Sequence, residues 1–391
     1  MKSLKTSIQI LVVLIFFSCN DKNTVVSFGT AQDTISFNFE KDVKDPSVFF
    51  DLVDSLKLVK LQTNADYLIG VISKILCDEH YLYILDERSK SVFKYTKEGE
   101  FVLKISRLGK GPGEFIQPSD FCLLDDAIVI FDDLSRKIII YDKNGGFHRE
   151  FKQKSVAEIF AKIDTNHFAM LNQDNTSPFS NKNILIVNEN GKKVNEFMEI
   201  TSYSKDKNLA LHKPVEYYED EILYTEAFNN RIFGITKDSV YVKYFFDFGE
   251  YNLDENFLNA NRELTASELI LKMNSKNRVN SLDYYNENSK YLSFLVFRRG
   301  RLFSMYFNKK EGVSHIFDQD LYPMWLSFLN YAYIYSDEQF FVTVCPPNYC
   351  SIIEEQEMNK MKENRLFSKV YEEIRQKDEM SNPYLLYYYF K

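Results

Sequence analysis

Leu82-Tyr-Ile-Leu-Asp-Glu-Arg-Ser-Lys-Ser-Val-Phe-Lys-Tyr-Thr-Lys-Glu-Gly-Glu-Phe101 aligns without a gap on Ile128-Val-Ile-Phe-Asp-Asp-Leu-Ser-Arg-Lys-Ile-Ile-Ile-Tyr-Asp-Lys-Asn-Gly-Gly-Phe147, 46 residues downstream. The identical pairs include Asp86/Asp132, Ser89/Ser135, Tyr95/Tyr141, Lys97/Lys143, Gly99/Gly145 and Phe101/Phe147. A further 46 residues reaches Gly191, and one more step reaches Lys237-Asp238 inside another strand-turn-strand, Arg231–Phe246. Glycine suits the positive φ of a tight hairpin. Three glycines in phase, with identities on both sides, define a repeat.

Each of the first two units reads as four short strands. They are Ile72–Leu76, Tyr81–Leu85, Ser91–Tyr95 and Phe101–Ile105, then Asp120–Leu124, Ala127–Phe131, Lys137–Asp142 and Phe147–Phe151. Four strands per period predict an all-β fold, a six-bladed β-propeller with short helical insertions. Between these units lies Arg107-Leu-Gly-Lys-Gly-Pro-Gly-Glu-Phe115. Its glycines and proline exclude helix and ladder strand, so it is read as the crossing from one blade to the next.

Later units are read as Phe160–Ile163, His167–Leu171, Asn183–Asn188 and Lys193–Phe197, then Glu221–Thr225, Arg231–Thr236 and Tyr241–Phe246. A helix over Leu253–Lys272 interrupts the phase. Tyr291–Phe297, Arg301–Asn308 and Ser314–Phe317 resume it, and Met324–Leu329, Tyr331–Tyr335 and Gln339–Val344 are assigned as strands of the sixth unit. Ser351–Lys377 is charged and helix-prone, and Tyr384–Phe390 is a final strand. Leu56–Leu61 alternates apolar and polar residues and is expected to close the last blade beside Tyr384–Phe390, because an open ring leaves pairing edges.

Phenylalanine (34) and tyrosine (26) are abundant, which favours strands, and 45% hydrophobic residues support a sizeable core. The net charge is −8, and removal of Lys2 and Lys5 with an acid-free leader makes it −10. No basic stripe accompanies this balance, so a nucleic-acid partner is not expected.

Lys2 and Lys5 precede an apolar run, Ile8–Phe17, too short to span a bilayer. Residues 1–18 are therefore read as a signal peptide, 19–50 as a lipidated Cys19 with a flexible tether, and 51–391 as the propeller, with helical insertions near 253–272 and 351–377. An ordinary secretory signal cut elsewhere is the alternative. Cys345 and Cys350 either close a small disulfide loop or stay as two reduced thiols, while Cys77 and Cys122 read as core residues. The five histidines, His80, His148, His167, His212 and His315, show no metal-ligand spacing. No cofactor or metal is expected.

The run Gly109–Phe115, followed by Pro118, Asp120 and strands through Phe151, resembles an NHL repeat, a family of six-bladed propellers. The leader with Cys19, Lys60-Leu-Gln-Thr63, Leu68-Ile-Gly70 and Asn382-Pro-Tyr-Leu-Leu386 extend the resemblance to six-bladed β-propeller lipoproteins of Bacteroidetes. It implies an exported, lipid-anchored protein of the cell envelope and no agreed reaction.

In such a propeller the loops between strands two and three share a face with the crossings between blades. That face collects Arg88, Lys110, Glu114, Arg136, Arg298 and Arg299 as a candidate binding rim, suited to an anionic ligand because arginine grips carboxylate or phosphate with two bonds. Ordinary surface charge is the plainer reading of the same residues. The expected function is a ligand-binding or protein-interaction module, with nutrient capture of a glycan or peptide in view. A metal-dependent lyase or hydrolase with its site in the central channel is the second reading.

Overall fold

The computed structural model describes residues 31–154, 157–172, 182–199, 210–253, 255–329, 332–346, 348–376 and 380–391. The repeat unit becomes an antiparallel four-stranded sheet. Blade I is Ile72–Cys77, Tyr81–Asp86, Ser91–Thr96 and Phe101–Ile105; blade II is Pro118–Leu123, Ala127–Asp132, Lys137–Asp142 and Phe147–Lys152. Blade III is Ile159–Lys162, His167–Leu171, Lys182–Asn188 and Lys193–Glu199; blade IV is Val215–Tyr218, Glu221–Thr225, Arg231–Ile235 and Val240–Asp247. Blade V is Val279–Glu287, Tyr291–Arg298, Arg301–Asn308 and Val313–Asp318. Blade VI runs outward as Tyr335–Ser336, Phe340–Cys345, Tyr384–Phe390 and Val53–Lys60.

Alternate residues of each central strand face opposite neighbours, so both faces of a blade are buried. Tyr83 and Leu85 pack toward blade II with Phe121 and Ile130, while Leu82 and Ile84 pack toward blade VI with Val342 and Leu385. Shared cores continue from II to III, III to IV, IV to V and V to VI. The sheets therefore form a closed ring, a six-bladed β-propeller.

Closure uses both ends of the chain. Leu58 stands opposite Leu386, and Lys60 opposite Tyr384, in an antiparallel pair. The identities within the repeat are structural. Asp86 is fully buried and accepts from the backbone N–H of Gly70 (2.9 Å), Val71 (2.8 Å) and Arg88 (3.1 Å). Asp132, also fully buried, accepts from Ile116 N–H (2.6 Å), Gln117 N–H (3.4 Å), Ser135 N–H (3.2 Å) and the Ser135 hydroxyl (2.5 Å). Each aspartate thus fastens the incoming crossing to the end of strand two. Gly99, Gly145 and Gly191 take φ of +94°, +80° and +75°.

The glycine-rich crossing is fastened from within. Tyr141 donates to Gly113 O (2.7 Å), Gly111 N–H donates to Glu114 Oε2 (2.7 Å), and the buried Lys137 ammonium donates to Gly111 O (3.0 Å) and Glu150 Oε2 (3.1 Å). At Gly113, φ is +69° and a Cβ would lie 2.6 Å from the Phe147 ring, so glycine is required there.

Four readings change. Met324–Leu329, assigned to a strand, is a helix whose Trp325, Leu326 and Leu329 are buried beside Pro323. The segment assigned to a tether is folded from residue 33 onward: Asp33–Ser36 pairs in parallel with the outer strand of blade IV, Val43 bridges Ile316 of blade V, and Phe49–Leu52 is a helical turn. The inner strands Val215–Tyr218 and Val279–Glu287 went unrecognised. The single helix expected over 253–272 is two, Glu255–Asn259 and Ala266–Ser275, the second opened by a Thr265/Glu268 capping box. The 351–377 insertion folds as Tyr349–Ile352, Glu355–Glu363 and Ser368–Arg375. The leader, Cys19 and the Cys350 side chain lie outside the described residues.

Candidate functional site

The inner strands surround a central cavity of about 960 Å³. Ser73–Cys77 of blade I, Asp120 and Cys122 of blade II, Ile159 and Lys162 of blade III, Val215–Tyr218 of blade IV, Glu287 of blade V and Tyr335–Ser336 of blade VI contribute to its wall. The hairpins joining first and second strands continue the wall through Asp125, Asp164, Glu219, Asp220, Asp337 and Glu338. These hairpins emerge on one face of the ring. Leu211–Pro214 lines the end toward the other face.

Polar groups join neighbouring inner strands. Lys74 Nζ lies 2.7 Å from Asp120 Oδ1, and Phe160 N–H donates to Asp120 Oδ2 (2.8 Å). Lys162 N–H donates to the Tyr217 hydroxyl (2.9 Å). Lys213 binds Glu216 and Asn286 and donates to Tyr285 O (3.1 Å), and Asn286 Nδ2 donates to Tyr333 O (3.1 Å). Burial pushes the Glu216 carboxyl up and the Lys213 ammonium down, opposed in each case by the partner charge. Such a satisfied pair acts as a strut between blades IV and V. His212 Nδ1 lies 2.7 Å from Asp283 Oδ2, and its ring stacks on Tyr284 at 5.4 Å. The hydrogen bond to Asp283 raises the His212 pKa.

Burial pushes the Cys77 and Cys122 thiols up to about 12, so neither is a ready nucleophile. Among the described residues, no group of three His, Cys, Asp or Glu side chains is arranged to hold a metal ion.

None of the six rim residues lines this cavity. Arg88 is exposed and lays its stem on Gly70, where a Cβ would meet Arg88 Cδ at 2.6 Å. Lys110 is exposed on the glycine-rich crossing, and Glu114 folds back to cap it. Arg136 and Arg299 are exposed at tight turns with φ of +54° each. Arg298 is half-buried between the rings of Tyr251 (3.8 Å) and Phe39 (4.2 Å), where it pins the N-terminal strap to blade V. The rim residues are thus spread over blades I, II and V.

The sequence profile of the domain of unknown function DUF4934 matches residues 34–389. The chain belongs to that family. The DUF4934 chain also resembles a crystal structure of a Bacteroides fragilis protein described as exported: TM-score 0.74, 16% identity, 92% of this chain and 100% of that one. At that identity the likeness shows the fold. A member of the DUF4221 family from Bacteroides vulgatus aligns over 87% of this chain and 97% of its own, with 10% identity and a TM-score of 0.49. No curated protein matches the chain. Among the described residues, no helix is long and apolar enough to cross a membrane.

The sequence pointed to a central channel only as the second reading and marked none of the DUF4934 wall as site residues, because the wall gathers short pieces of widely separated segments. One signal was available. The first hairpin of nearly every blade carries acids: Asp78-Glu79, Asp125-Asp126, Asp164, Glu219-Asp220 and Asp337-Glu338. Several also cap their turns, as Asp337 does by accepting from Gln339 N–H (2.9 Å) and Phe340 N–H (3.2 Å).

Proposed function

We propose that this chain is an exported, lipid-anchored propeller of the cell envelope that binds a small polar ligand in its central cavity. The carrying observation is the cavity itself. Its volume of about 960 Å³ falls in the range of small-molecule sites, and its wall mixes tyrosine faces with polar groups already fixed by hydrogen bonds. A cavity built by inner strands of all six blades is rigid, which limits the entropy lost on binding. The basic start, apolar run and Cys19 support a lipid anchor, and the exported description of the Bacteroides fragilis relative supports passage out of the cytoplasm. The glycine-rich crossing supports an NHL-like repeat. Nutrient capture, of a glycan or a peptide, fits such an address.

Two measurements test this reading. Radiolabelled palmitate should enter the full chain expressed in a Bacteroides host and be lost in Cys19→Ala; labelling that survives the substitution overturns the anchor. A thermal-shift screen of short oligosaccharides and peptides should find a ligand whose binding is lost in Ser73→Trp, which fills the cavity, while far-UV circular dichroism stays unchanged. A ligand bound equally well by that variant overturns the cavity as its site.

A further inference from the structure

The cavity has a charge that the net composition does not foretell. Of its charged lining residues, ten are acidic, and only three lysines face them. Five of the acids have partners: Asp120 with Lys74, Asp125 with Lys162, Asp164 with His167, Glu216 with Lys213 and Glu287 with Lys309. Glu219 and Asp220 on the first hairpin of blade IV, and Asp337 and Glu338 on that of blade VI, have no salt bridge among the described residues. They flank the mouth on either side of blade V. Asp337 is half-buried, and burial raises its pKa, so an approaching cation would relieve a cost already present. In the same wall, the Ser336 hydroxyl is buried beside the Glu216 carboxyl.

We propose that the ligand of this cavity is an organic cation with two or more ammonium or guanidinium groups, entering between the first hairpins of blades IV and VI. The inference rests on the cavity reading above and names its ligand class. A single metal ion is disfavoured because the described acids do not converge on one point. Carboxylates spread across a mouth instead suit a molecule whose positive charges are also spread. Tyr217, Tyr218 and Tyr335 line the same space, and tyrosine faces attract ammonium and guanidinium groups. Tyr218 already holds the Lys309 ammonium 3.9 Å from its ring centre. An anion would meet repulsion along this wall.

Isothermal titration of the full chain with spermidine and with tetralysine tests the inference, with maltotetraose as neutral probe and tetragalacturonate as anionic probe. The comparison variant is Glu219→Gln/Asp220→Asn/Asp337→Asn/Glu338→Gln, in which the amide oxygen introduced at position 337 can still cap its turn. Binding of either cation, weakened tenfold or more in this variant and falling steeply with added salt, is the expected result. Spermidine alone would point to a free polyamine, and tetralysine alone to a basic peptide. Binding of the cations unchanged in the variant overturns the inference. Binding of maltotetraose or tetragalacturonate without the cations overturns it while leaving the cavity as a ligand site. Silence from all four probes counts against both readings.

Discussion

Replacing Asp132 by alanine should be among the most damaging single changes outside the apolar core. The carboxylate is fully buried and receives four hydrogen bonds, the shortest from the Ser135 hydroxyl (2.5 Å) and Ile116 N–H (2.6 Å). A hydrogen bond to a charged group contributes about 1.5–3 kcal/mol, and losing one partner strands the other. The two long contacts, from Gln117 and Ser135 N–H, add little. The two short ones give a loss of about 3–5 kcal/mol for Asp132→Ala. The milder Asp132→Asn should cost about 2–3 kcal/mol, because the new amide nitrogen would face a donor where an oxygen now accepts. Asp142→Ala is the control. Asp142 is exposed and accepts from Asn144 N–H (2.8 Å) and Gly146 N–H (2.9 Å), both of which water can replace, so its loss should cost clearly less. Urea unfolding followed by far-UV circular dichroism and by fluorescence of Trp325, the single tryptophan, gives the comparison. An Asp132→Ala loss no larger than that of Asp142→Ala would refute the claim that the repeated aspartate fastens the blade crossing.

A chain ending at Pro383 lacks the middle strand between Val53–Lys60 and Phe340–Cys345, so it should elute as aggregate and lose its cooperative melt; a monomeric, cooperatively melting product would contradict closure by both termini. Arg298→Ala removes the cation between Phe39 and Tyr251 and should cost about 1–2 kcal/mol, with faster amide exchange in Asp33–Ser36. The Asp78 carboxyl lies at about 2: burial works against the shift, and the Tyr83 hydroxyl, the His80 N–H and Lys143 outweigh it. Because the folded pKa is below the ordinary 3.8, the advantage of wild type over Asp78→Asn should be full above about pH 4 and vanish as pH falls toward 2; equal melting points at pH 7 would contradict it.

Blades I to III were legible because their middle strands are short, continuous apolar runs and glycine marks the hairpins. His167–Leu171 and Lys137–Asp142 fall where the sequence placed them. Val279–Glu287 was not, because two register shifts break its alternation and put Tyr284 at a φ of +52°. Met-Trp-Leu-Ser-Phe-Leu over 324–329 is a short apolar run whose period does not decide between strand and helix, and Pro323 before it was the missed helix signal. The N-terminal strap was also readable: Ile35, Phe37 and Phe39 alternate with polar residues and are buried. The cavity lay out of reach for another reason. What the inner strands face depends on ring closure, which no local window contains.

Ring closure by the two termini also sets an order of events during synthesis. Val53–Lys60 leaves the ribosome long before its partner, Tyr384–Phe390. This early strand must wait with an open edge while five other blades assemble, and an open edge invites mispairing with other nascent chains. The lysines at Lys57 and Lys60 on that strand offer a defence, since charge on a waiting edge discourages strangers until the rightful neighbour arrives.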